Sequence, residues 1–70
     1  MLAFEKELRS RGWTFAEAAR RSGLNQVTVG QIASRRFRPY PSQLAKLAVA
    51  LDWPVDRAEM LLKEVAGDDE

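Results

Sequence analysis

Two helix-opening residues, Thr14 and Asn25, stand eleven positions apart, and one glycine turn separates the segments they introduce. Thr14 precedes Phe15-Ala16-Glu17-Ala18-Ala19-Arg20-Arg21. Glu17 lies three residues on, the spacing of a capping box in which each side chain can satisfy the other residue's free backbone N–H. Ser22-Gly23-Leu24 closes the segment, because glycine readily takes the left-handed conformation that ends a helix. Asn25 then caps Gln26-Val27-Thr28-Val29-Gly30-Gln31-Ile32 without a spacer. This spacing fixes two short helices at a sharp angle, a helix-turn-helix.

The remaining chain is also helical in pattern: apolar residues recur at helical spacing and no strand-like alternation lasts. Five short helices are predicted. The first covers about Leu2 to Arg11, with Phe4 and Leu8 one turn apart, and Gly12 ends it. In the third, Val29 and Ile32 face inward. Arg35-Arg36-Phe37-Arg38-Pro39-Tyr40-Pro41 predicts a loop, because two prolines one residue apart interrupt a helix. Pro41 can open the fourth helix, which runs to about Leu51 with Leu44, Leu47, Ala48 and Leu51 on one face. The last helix starts at Trp53-Pro54 and carries Val55, Ala58, Met60, Leu61, Leu62 and Val65 before Gly67. The expected core is Phe4, Leu8, Trp13, Ala18, Ala19, Leu24, Val29, Ile32, Leu44, Leu47, Ala48, Leu51 and Leu61. One domain is expected over 1–66, followed by an acidic, frayed tail over 67–70.

Seventy residues bound a single domain that buries only about 60% of its unfolded surface. Without cysteine or histidine, a disulfide framework and an ordinary Cys/His zinc site are excluded. No cofactor, metal or small-molecule ligand is expected. An enzyme is equally unexpected, since neither a nucleophile–base set nor enough chain for a substrate cleft is present. No apolar run approaches the roughly 20 residues of a membrane span, and the first residues lack a signal-peptide core. A cytoplasmic location is the expectation. The net charge of +1 conceals a division: residues 1–46 hold nine Lys/Arg against three Glu, residues 47–70 two against seven acids. A basic front half suits a polyanion such as DNA, and an acidic tail does not.

From Arg11 to Leu51 the chain resembles the lambda-repressor-like helix-turn-helix family, of Cro/C1 or XRE type. The resemblance is carried by Arg11-Gly12-Trp13-Thr14, Glu17, Ala19, Ser22-Gly23-Leu24, Thr28-Val29, Ile32, Pro39, Pro41, Leu44, Lys46-Leu47-Ala48 and Ala50-Leu51, in register without a gap. It implies a compact all-α domain of five helices, with the helix-turn-helix formed by the second and third. It also implies sequence-specific binding to double-stranded DNA, usually as a homodimer on a palindromic operator and usually to repress transcription, with nucleoid association when bound.

Carried over residue by residue, the resemblance makes the third helix the recognition helix, with Gln26, Val27, Gly30, Gln31 and Ser34 facing the bases. Gln can bond adenine N6 and N7 together, and Val27 can pack on a thymine methyl. Phosphate contacts would come from the second-helix start at Thr14 and Phe15 and from Arg35, Arg36 and Arg38. Tyr40, Ser42 and Gln43 at the fourth-helix start complete that set.

Four positions depart from the family pattern. Phe15 replaces a polar residue; it is either a staple against the end of the first helix or an exposed apolar contact. Gly30 sits inside the recognition helix, either to let its backbone approach DNA closely or by neutral drift. Leu8 and Ala33 stand where many members carry an Arg–Glu pair. Arg35 replaces the usual glycine, which predicts a turn with a side chain attached and an extension of the third helix into Arg36. The last helix is richer in apolar residues than one core needs, so Trp53, Val55, Met60 and Leu62 are expected at a dimer contact. The alternative function is a protein-interaction module of the same fold that has lost sequence-specific DNA binding.

Overall fold

A computed structural model describes residues 1–66; the predicted frayed tail, 67–70, lies outside the described residues. The elements are α1 (Ala3–Arg11), α2 (Phe15–Ser22), α3 (Gln26–Ala33), α4 (Pro41–Ala50) and a terminal 3₁₀ helix (Val55–Leu62). No strand occurs among the described residues, and no helix among them is long and apolar enough to cross a membrane.

Local signals place the starts of α2 and α3 as read. The Thr14 hydroxyl accepts the Glu17 N–H at 3.1 Å, and the Asn25 side chain accepts the Val27 N–H at 2.7 Å. The capping box at α2 is one-armed, however. The Glu17 carboxylate is taken by Arg20, at 2.6 Å, and by Arg21, so it does not return to Thr14.

Four helices end on a residue in the left-handed region, yet only Gly12 and Gly23 are glycines; Arg35 (φ 67°) and Asp52 (φ 64°) are the others. α3 therefore stops at Ala33 and does not extend into Arg36. The Arg35 N–H donates to the Ile32 carbonyl at 3.1 Å and the Arg36 N–H to the Gln31 carbonyl at 2.9 Å. These are the two bonds that close a helix through a left-handed residue. Asp52 repeats the pattern, its N–H bonding Val49 and that of Trp53 bonding Ala48. An L-residue there is strained by about 1–2 kcal/mol, and a carboxylate opposes the negative end of the α4 dipole. Asp52→Gly is thus expected to raise stability by about 1 kcal/mol, after allowing for the looser unfolded chain, and Tm by about 4–8 °C. Thermal unfolding followed by circular dichroism checks it.

α2 packs on α3 and α4, while the 3₁₀ helix packs on both α1 and α4. The core they enclose contains Phe4, Leu8, Ala18, Ala19, Val29, Ile32, Leu44, Leu47, Ala48, Leu51 and Leu61, all as expected, and adds Leu2, Ala33 and Ala58. Leu8 and Ala33 are both buried, so these positions hold hydrocarbon and no half-pair of charge. Trp13 and Leu24 are only partly buried. Trp13 lies at the rim because its ring faces two guanidinium groups, Arg21 at 4.6 Å and Arg11 at 5.4 Å. The Cα radius of gyration is 10.8 Å, against about 11 Å for a compact chain of this length.

The last helix differs most from expectation. It is 3₁₀, ends at Leu62 and excludes Val65. At three residues per turn, Val55, Ala58 and Leu61 align. The last two are buried, while Val55 projects past the core. Lys63 is extended, and the chain then pairs with its own beginning through a single antiparallel bridge, Leu2 with Glu64. The Ala3 N–H donates to the Lys63 carbonyl and the Val65 N–H to the Met1 carbonyl, each at 2.8 Å. This junction buries Leu2 and positions Glu64.

Candidate nucleic-acid interface

Residues 27, 30, 31 and 34 follow i, i+3, i+4 and i+7 spacing and share one face of the α3 segment. Val27 is 66% exposed, and Gln26, Gln31 and Ser34 are exposed. The Ser34 hydroxyl donates to the Gln31 carbonyl at 3.2 Å, which leaves its lone pairs outward. Gly30 is half-buried, and the reason is Phe15. A Cβ at Gly30 would lie 3.6 and 3.8 Å from two atoms of the Phe15 ring. Phe15, 38% exposed, therefore packs across onto α3, adjoining the Val27 face. Phe15 and Gly30 thus form one contact, an aromatic ring set over a glycine. Gly30→Ala would add a methyl at ordinary van der Waals distance from that ring. It is expected to raise stability by about 1 kcal/mol through helix propensity, read as a higher urea midpoint.

The proposed phosphate contacts are divided in their present engagements. At α2, the Thr14 hydroxyl is committed to its cap, whereas the Phe15 and Ala16 N–H groups donate to no described residue. At α4, the Gln43 N–H is not free, because it donates to the Tyr40 carbonyl at 2.9 Å. The Gln43 side chain is also occupied, accepting the Tyr40 N–H at 2.8 Å. Pro41 has no N–H, so Ser42 holds the remaining backbone donor there. Tyr40 is exposed, and its ring meets Phe37 edge-on at 5.7 Å.

Arg35 forms an ion pair with Glu64, and Arg38 pairs with Glu59 at 3.5 Å. Arg36 is exposed and has no ion-pair partner among the described residues. The two acids escaped sequence reading, which saw only an acidic end; neither motif nor spacing links residue 64 to residue 35. Of the expected dimer residues, Trp53 and Leu62 pack partly against the core, while Val55 and Met60 are exposed.

No family model, curated protein or solved structure matches the chain. The functional reading therefore stands on the residues themselves.

Two carboxylates are held below the usual range of 4.5: Glu17 by hydrogen bonds from Arg20 and then Arg21, and Glu64 chiefly by the hydrogen bond from Arg35. A depressed folded pKa contributes stability above the unfolded value, and that stability is lost as pH falls through the folded value. Stability is therefore expected to hold from neutrality down to about pH 5 and to decline below about 4.5. The Tm-against-pH curves of Glu17→Gln and Glu64→Gln should each fall less steeply below that point than the wild type's.

Proposed function

We propose that this chain is a sequence-specific double-stranded DNA-binding transcriptional regulator of lambda-repressor-like helix-turn-helix type. It inserts α3 into the major groove and acts as a repressor in dimeric form on a palindromic operator. One observation carries the reading: α3 exposes Gln26, Val27, Gln31 and Ser34 to solvent, and it runs directly into a loop with three arginines. A helix presenting amide and apolar groups at its surface can read base edges, while the flanking guanidinium groups and the free N–H groups of α2 and α4 contact phosphates. The Phe15 ring, set over Gly30, adds apolar surface to that face, while the Phe15 N–H stays with the phosphate set. Exposed Val55 and Met60 supply apolar surface for the dimer contact.

Because a methyl at Gly30 would rest against the Phe15 ring at ordinary contact distance, Gly30→Ala should leave DNA affinity within about threefold of wild type. A larger loss would restore close approach of the α3 backbone as the role of the glycine.

A second reading, a protein-interaction module, draws on the exposed apolar side chains of Phe15 and Val27 and on the existing engagement of Arg35 and Arg38. Selection from random duplexes, followed by binding of the enriched sequence across salt concentrations, separates the two. An enriched palindrome with half-sites about one helical turn apart and a steep salt dependence supports the regulator. Absence of any binding at low salt supports the interaction module.

A further inference from the structure

We infer that Glu59 and Glu64 are internal counter-anions of the arginine loop, which a DNA backbone must displace, and that they thereby set how tightly this domain holds DNA. The inference rests on the DNA-binding reading above. Two of the loop's three guanidinium groups are paired with carboxylates that lie 21 and 29 residues further along the chain. Neither pair is an accident of adjacent helix positions. The Leu2–Glu64 bridge pins the backbone at Glu64 beside the loop, and the left-handed turn at Arg35 fixes the other partner. The 3₁₀ helix carries Glu59 opposite Arg38.

A guanidinium binds carboxylate and phosphate oxygens through the same planar donor fork, so one oxyanion occupies the place of the other. Both pairs are solvent-exposed, with side-chain exposures of 50% and 58% at Arg35–Glu64 and 74% and 71% at Arg38–Glu59. Exposed pairs are weak, so phosphate can replace the acid, but each contact first breaks a pair. The positive balance of the front half is therefore partly answered within the fold. Arg36 is the loop cation with no described partner, and Arg35 and Arg38 are conditional ones.

The test compares the full chain with the double variant E59Q/E64Q and with a charge-matched control, D52N/D56N, whose acids form no ion pair among the described residues. Binding is measured to a mixed-sequence duplex of about 20 base pairs at about 50 mM salt and upward. E59Q/E64Q is expected to bind about three- to tenfold tighter than wild type, the yield of releasing the two exposed arginine pairs; it also frees the Met1 ammonium, which pairs with Glu64 at 3.4 Å, and an arginine-free background separates that contribution. Its log K against log salt plot should steepen by up to about one for each guanidinium freed. D52N/D56N should gain less than about twofold, because unpaired charges away from the loop act only through the screened field. In an R35Q/R38Q background, the gain from E59Q/E64Q should disappear. Equal gains in the two double variants, or a gain that survives without the arginines, overturn the inference and leave the DNA-binding reading standing. Absence of binding by wild type and E59Q/E64Q alike overturns that reading, and the inference falls with it.

Discussion

Phe4→Ala is expected to cost about 3–5 kcal/mol, on the order of half the stability of a chain this size. A chain of 70 residues has a total stability of about 4–10 kcal/mol, at about 0.05–0.15 kcal/mol per residue. Phe4 is the largest fully buried side chain among the described residues. It sits on α1, whose docking onto the 3₁₀ helix closes the single core. Truncation removes the ring's transfer free energy and leaves a cavity that the neighbouring elements can only partly fill. No disulfide offsets the loss in a chain without cysteine. Urea unfolding monitored by circular dichroism should show the midpoint fall by about half. Phe15→Ala provides the contrast, since that ring is 38% exposed and rests on one side of α3; about 1 kcal/mol is expected. A Phe4→Ala loss below about 1 kcal/mol would mean that α1 is not integral to the core.

What the sequence makes legible is local. Thr14, Gly23 and Asn25 act on backbone groups within four residues, so the ends of α2 and the start of α3 follow from the residue types alone. The i, i+3, i+4 pattern of Leu44, Leu47 and Ala48 likewise states which face of α4 is buried. The last helix fails this test for a physical reason. Val55, Ala58 and Leu61 recur every three residues, a spacing that both an α-helix and a 3₁₀ helix accept on one face. The choice falls to pairing of Lys63–Val65 with Met1–Ala3, a contact between opposite ends of the sequence. That same pairing delivers Glu64 to Arg35, so the misread helix and the missed ion pair share one cause. Phe15 and Gly30 present a milder case. Each looks anomalous alone, and only the packing of α2 on α3 explains one by the other.

On the proposed DNA-binding reading, Gln31→Ala is expected to relax discrimination at one base pair of the selected duplex by about 1–3 kcal/mol, while affinity for unrelated duplexes stays nearly constant. Gln31 is exposed one turn beyond Val27, and beside it Gly30 adds no side chain of its own. Its amide can donate to adenine N7 and accept from N6 together, a pair of bonds that no other base offers in the same arrangement. Alanine loses both and leaves the base edge to water. Arg36→Ala is the informative comparison. Arg36 follows the end of α3 and lacks an ion-pair partner among the described residues, so its loss should weaken every sequence alike and flatten the salt slope by about one. Binding of each variant to a panel of single-base operator changes at several salt concentrations distinguishes the roles. Uniform weakening by Gln31→Ala, with the wild-type preference intact at every position, would remove Gln31 from the reading face. The search for base contacts would then move toward Gln26 at the start of α3, where the helix N-terminus most closely approaches a groove in this docking geometry.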